Sequence, residues 1–184
     1  MITLIGLSGS LRRQSFNTSL LRAAAGLMPE GAALDVRTLH GIPVYDADDE
    51  AATGIPPAAA ALKDAIAAAD GLILSTPEYN NSMPGVAKNG IDWLSRPPAD
   101  IKRVFAGKPV AIMSASPGGF GAVLSQTAWL PVMRTLGAPV WAGPRLTVSR
   151  AGSVFGEDGA LVDDAIREQL KKFLAGFVAS LQSR

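Results

Sequence analysis

The 184-residue chain balances 17 basic against 16 acidic residues, a net charge of +1, and 48% of it is hydrophobic; it can build one substantial core and lacks the basic excess of a dedicated nucleic-acid binder. It has no cysteine and a single histidine, His40, which excludes disulfides, iron–sulfur clusters and histidine-rich metal sites. No stretch approaches the roughly 18 uninterrupted apolar residues of a membrane span, and Met1–Ser10 reads as a strand and loop, so the expectation is a cytoplasmic protein with no membrane or nucleic-acid partner.

In chain order, short apolar runs alternate with longer helix-like stretches. Ile2–Leu7 reads as a strand ending in glycine and serine. Leu20, Leu21, Ala24 and Leu27 recur at helical spacing and predict a helix over Asn17–Leu27. Ala33–Leu39 alternates in part and is the second strand. Gly41–Pro57, with its Pro, Asp and Gly, reads as a loop. Ala58–Ala69 is an alanine-rich helix opened by Pro56 and Pro57. Leu72–Thr76 is a buried strand, Val86–Leu94 a helix stopped by Pro97 and Pro98, and Val110–Ser114 the fourth strand. Val123–Leu136 is a helix with a kink or break expected at Pro131. Val140–Leu146 is the fifth strand, its end unsettled by Gly143 and Pro144. Ala165–Leu181 closes the chain as an amphipathic helix behind Asp163 and Asp164. Strands buried on both faces and alternating with helices imply an α/β fold, with one domain over 1–184. Five strands fit a flavodoxin-like parallel sheet of order 2-1-3-4-5, with ligands beyond the carboxyl ends of the strands where the order reverses.

Three loops lie at that edge. Gly9–Asn17 runs from the first strand into the first helix, where unpaired backbone N–H groups and the positive helix end favour phosphate. Ser10, Ser15 and Asn17 add neutral donors and Arg12 a cation; the plainer reading is a helix capped by Ser15 or Asn17 beside a solvated Arg12. The segment matches neither the Rossmann nor the Walker glycine pattern. Thr76–Gly85 is a loop stiffened by Pro77, Pro84 and Gly85 that carries the ring of Tyr79; it can present backbone polar groups to a heterocycle edge, or be an ordinary connection with Asn80 or Asn81 as turn residues. Ser114–Gly121 holds Gly118, Gly119 and Gly121, which permit close backbone approach to a flat ligand or simply a turn at positive φ. Convergence of three donor-rich loops on one edge says more than any of them alone.

These loops resemble the NADPH-dependent FMN reductase family, which includes quinone, chromate and azo-dye reductases. The resemblance is carried by GSLRRQSFN at Gly9–Asn17, PEYNNSMPGVAKNGIDWLSRP at Pro77–Pro97 and SPGGFGA at Ser116–Ala122, and runs from about Ile2 to the last helix. It implies that Ser10, Arg12, Ser15, Phe16 and Asn17 hold the phosphate of FMN, that Pro77, Glu78, Tyr79 and Asn80 line the isoalloxazine, and that Ser116, Pro117, Gly118 and Gly119 hold its other flank. It also implies a homodimer or homotetramer built through the helix around Lys88–Trp93. Ala87, where the family often has a larger aliphatic residue, and Phe120, in the glycine loop, depart from the expected forms and bear on acceptor preference.

The function implied is hydride transfer from NADPH or NADH, through flavin N5, to a small acceptor such as a quinone, free flavin, chromate or an azo compound. The hard chemistry belongs to the flavin, so no catalytic acid, base or nucleophile is required. Arg96, at the end of its helix, is a candidate contact for nucleotide phosphate or an anionic acceptor, or else a solvated or interface arginine. Asp46, Asp48, Asp49 and Glu50 read as a solvated acidic loop, His40 as a surface residue, and Trp93, Trp129 and Trp141 as core or interface. Alternatives are a flavodoxin-type electron carrier, a non-catalytic flavin-binding module, and a Rossmann-type nucleotide binder, the last disfavoured by the missing glycine fingerprint.

Overall fold

The computed structural model describes residues 1–182. Five strands, β1 (Ile2–Ser8), β2 (Ala32–Arg37), β3 (Gly71–Ser75), β4 (Val110–Ala115) and β5 (Leu146–Val148), form one sheet. The order is β2-β1-β3-β4-β5, and every neighbouring pair is parallel. Seven α-helices accompany them: α1 (Phe16–Gly26), α2 (Ala47–Thr53), α3 (Pro57–Ala68), α4 (Gly85–Leu94), α5 (Ile101–Val104), α6 (Val123–Leu136) and α7 (Asp164–Gln182). This is the flavodoxin-like architecture expected from the alternation of apolar runs and helical stretches.

The period-2 direction of side chains in a strand divides the core in two. Leu4, Ile73 and Met113 face the layer of α1 and α7, where Leu21, Phe173 and Phe177 meet them. Ile5, Leu72, Leu74 and Ile112 face the opposite layer, with Ile66 of α3, Ile91 of α4 and Trp129 of α6. Strands β3 and β4 are buried at every residue because helices cover both faces. At the edge, β2 alternates instead: Ala32, Leu34 and Val36 are half-buried, while Ala33, Asp35 and Arg37 are exposed.

Three expectations need correction. Gly41–Pro57 is not all loop, because α2 forms within it. Asp46 caps that helix by accepting from the N–H of Asp48, and Asp48, Asp49 and Glu50 fill a first turn where negative charge is favoured. The fifth strand is not Val140–Leu146. Val140 makes a single bridge to Val110, Gly143 and Pro144 interrupt the run, and pairing with β4 starts only at Leu146. Proline has no N–H to give a ladder, which explains the delay. Helix α6 runs unbroken through Pro131, which sits on the exposed side.

Candidate functional site

The carboxyl ends of β1, β3 and β4 lie side by side, so the loops after them meet at one edge. The first, from Gly9 to Ser15, is drawn onto the sheet by Gly9, whose N–H donates to the Ser75 carbonyl at 2.8 Å. A Cβ on Gly9 would lie 3.2 Å from both Pro77 and that carbonyl, so glycine lets the first two loops touch. Ser15 caps α1 by accepting from the N–H of Thr18, and Ser10 Oγ accepts from the N–H of Arg12 at 3.2 Å. Both hydroxyls serve there as acceptors and keep their protons to donate. Among the described residues, the N–H groups of Arg13, Gln14, Ser15, Phe16 and Asn17 meet no protein acceptor. These are the orphan donors of a helix start and the turn before it, and they suit a phosphate dianion. Arg12 is exposed, with its guanidinium 5.5 Å from the Phe16 ring centroid, and Phe16 stacks on Phe155 at 5.9 Å.

Asn17 points the other way. It is buried, and its side-chain amide donates to the Ala115 carbonyl at 2.8 Å. Its Oδ1 accepts from the Ala115 N–H at 2.9 Å and from Ser75 Oγ at 3.0 Å. The side chain therefore ties the start of α1 to the ends of β3 and β4, leaving the backbone N–H of Asn17 facing the loop. The ties span 98 and 58 residues of chain, which is why the sequence offered Asn17 only as a cap or ligand donor.

The second loop is a short hairpin. Tyr79 and Ser82 exchange backbone hydrogen bonds, and Asn80 and Asn81 between them have φ of 51° and 62°. Two successive positive φ values suit asparagine, which tolerates the left-handed region. The hairpin presents an exposed Tyr79 ring. Glu78 caps α6 across the site: its Oε2 accepts from the N–H of Leu124 at 2.9 Å and of Ser125 at 3.1 Å. Below it, buried Thr76 Oγ1 lies 2.8 Å from Ser125 Oγ and accepts from Trp129 Nε1 at 3.1 Å.

The third loop is anchored at both ends. Ser116 donates its N–H to the Val148 carbonyl, and the Gly118 carbonyl accepts from Arg150. Gly121 has φ of 60°, and a Cβ there would lie 2.9 Å from Thr147; only glycine fits. Between these anchors Pro117, Gly118, Gly119 and Phe120 are exposed, Phe120 by 84%. The structure thus brings the three predicted segments to one edge, with Asn17 and Glu78 tying them.

Arg96 is engaged elsewhere. Its Nε donates to Glu50 Oε2 at 2.8 Å, its guanidinium lies 5.7 Å from the Tyr45 ring centroid, and Tyr45 donates its hydroxyl to the same Glu50 oxygen at 2.9 Å. The hydrogen bond from Arg96, with that from Tyr45, holds the Glu50 carboxyl below its ordinary range. Donation to Glu50 raises the Tyr45 hydroxyl above its own. Trp93 and Trp129 are core residues, Trp141 is half-buried on Phe173, and exposed His40 pairs with Thr38. Among the described residues no group of three acidic or histidine side chains could hold a metal, and no helix is long and apolar enough to cross a membrane.

A flavodoxin-like sheet with a phosphate-type loop after β1, and two stiff loops beside it, defines a flavin-binding α/β protein. Residues 2–153 match the model of the NADPH-dependent FMN reductase family, and the chain belongs to that family. It is 42% identical to an NAD(P)H-dependent FMN reductase of Pseudomonas aeruginosa over 94% of this chain and 91% of that one. It is 38% identical to a 2-hydroxy-1,4-benzoquinone reductase of a Burkholderia species over 96% and 94%. The solved structure of the flavoenzyme NAD(P)H:(acceptor) oxidoreductase of Paracoccus denitrificans superposes with a TM-score of 0.85 at 32% identity, covering 100% of this chain and 98% of that one. The protein is accordingly an oxidoreductase with FMN as cofactor and NAD(P)H as co-substrate, a reading favoured over an electron carrier or a non-catalytic flavin module.

Proposed function

We propose that this chain is a two-electron reductase of small acceptors, quinones foremost, with its flavin held across the three loops. The observation that carries the reading is the convergence of orphan N–H groups after β1 with the Tyr79 hairpin and the exposed glycine loop at one sheet edge. In this reading the phosphate is held by the hydroxyls of Ser10 and Ser15, the backbone of Phe16 and Asn17, and Arg12. The ring lies between Pro77–Asn80 and Ser116–Gly119. Bound there, FMN supplies hydride chemistry between NAD(P)H and the acceptor. The protein's part is placement: the exposed Tyr79 and Phe120 rings and the backbone groups of Gly118 and Gly119 would hold and orient the flavin. Glu78 acts through α6 by holding the second and third loops in register. Quinones are favoured because relatives from bacteria and plants are named quinone reductases or oxidoreductases. A cytoplasmic homodimer or homotetramer assembled through α4 completes the proposal.

The test is a fluorescence titration of flavin-free protein with FMN, followed by turnover with NADPH and 1,4-benzoquinone. Saturable quenching at one FMN per chain, weakened in Ser15→Ala, with quinone-dependent NADPH oxidation is the expected result. Absence of FMN binding would overturn the site, and FMN binding without quinone turnover would overturn the acceptor.

A further inference from the structure

The flank of the first loop away from β3 holds a cavity of about 500 Å³ that borders the flavin-phosphate site through Ser10 and Arg12. Its walls include Arg12 and Arg13 from the loop, Thr18 and Arg22 from α1, and Thr38 and His40 from just beyond β2. Among the described residues no carboxylate lines it. Arg13 and Arg22 are exposed, and among the described residues neither has an ion pair or a hydrogen-bonded acceptor for its guanidinium. Their neighbour Arg37 differs: it pairs with Asp35 at 2.7 Å. His40 Nδ1 lies 2.9 Å from Thr38 Oγ1; with Nδ1 as acceptor, Nε2 carries the proton and can donate.

Two unpaired guanidiniums, a third shared with the flavin-phosphate site, and an imidazole N–H form a recognition set for a phosphate monoester. The flavin phosphate does not need Arg13 or Arg22, because Ser10, Arg12, Ser15 and the N–H groups of Phe16 and Asn17 serve it. Position supplies the second argument. In dinucleotide folds the end of the second strand reads the adenosine ribose, with a carboxylate where the 2′-hydroxyl is free and a basic residue where it is phosphorylated. Here the residues just beyond β2 that line the cavity are Thr38 and His40, with Arg13 and Arg22 beside them. β2 lies two strand spacings from β3, about 10 Å, so a dinucleotide whose nicotinamide lies on the flavin has the length to reach it.

We propose that this cavity takes the 2′-phosphate of NADPH and makes the enzyme prefer NADPH to NADH. The inference rests on the reductase reading for its substrate, but its binding test does not. Calorimetry of FMN-loaded protein with 2′,5′-ADP and with 5′-ADP should show the 2′-phosphorylated nucleotide binding about tenfold tighter or better, a margin that Arg13→Ala/Arg22→Ala removes. In steady state the double variant should raise KM for NADPH about tenfold or more and leave KM for NADH within about twofold. The milder Arg22→Gln, at an exposed helical position, should move the same numbers in the same direction. Equal affinity for the two adenosine nucleotides, or an equal rise in both KM values, would overturn the inference. A wild-type protein that oxidises neither NADPH nor NADH would instead overturn the reductase reading, and the 2′,5′-ADP comparison would still decide the cavity.

Discussion

The first loop and the Arg96 corner use arginine in opposite ways. At the corner, one half-buried guanidinium is committed to Glu50 and lies over Tyr45. At the loop, Arg12, Arg13 and Arg22 stand exposed with no carboxylate partner among the described residues, around open volume. A guanidinium already matched to a carboxylate contributes to structure. Taking a ligand anion there would mean breaking an existing charge-assisted pair. A guanidinium without a partner beside orphan N–H groups is available to a ligand anion. Arginine residues identical in the sequence are thus separated by what each one already touches.

The contrast can be broken in several places. The largest effect is expected at Asn17, whose side chain belongs to the structural side although it lies in the ligand loop. Asn17→Ala leaves the Ala115 N–H, the Ala115 carbonyl and Ser75 Oγ without their partner. It should cost about 3 kcal/mol or more in urea unfolding. Ser15→Ala should cost about 1 kcal/mol as a lost cap, with a larger proportional loss in FMN affinity. Glu78→Gln keeps an acceptor for α6 but removes the charge; it should lower stability by about 1 kcal/mol or less and leave FMN stoichiometry unchanged.

The corner makes a pH prediction. Because Glu50 titrates below its ordinary value near 4.5 in the folded protein, its pairing stabilises fully above that value and is lost as pH falls through the lowered one. Tyr45 is shifted upward from near 10, so its contribution holds below that value and disappears as pH rises through the raised one. Glu50→Gln should therefore flatten both the acid and the alkaline limbs of the unfolding midpoint against pH. Arg96→Ala should lower the midpoint at neutral pH while leaving KM for nucleotide and acceptor unchanged; a raised KM would put Arg96 on the ligand side. The smallest stability effect is expected at Phe120→Ala, within about 0.5 kcal/mol, since the ring is 84% exposed; a change in acceptor KM without a change in FMN affinity would mark it as bordering the acceptor.

Much of this was legible from sequence because the relevant signals are local. Apolar runs of strand length alternating with helical spacing led to the 2-1-3-4-5 sheet, and glycine, serine and proline marked the three loops. Helix α2 was also locally encoded, with Asp46 two residues before its bonded N–H and three acidic residues behind it; the surrounding Pro and Gly masked it. The displaced β5 followed from counting Val140 and Trp141 as ladder residues when Pro144 divides them from Leu146. What could not be read was partnership across the chain. Glu78 meets α6 46 residues on, Arg96 meets Glu50 46 residues back, and Asn17 meets Ala115 98 residues away. Arg13, Arg22 and His40 gave only the local hint of two adjacent arginines, because their common cavity arises from the pairing of β2 with β1.

The most direct test of the central claim is anaerobic addition of NADPH, then NADH in a separate run, to FMN-loaded protein while the flavin absorbance is followed. The account predicts complete bleaching at one nucleotide per flavin, faster with NADPH. Flavin that stays bound and oxidised with either nucleotide would contradict it.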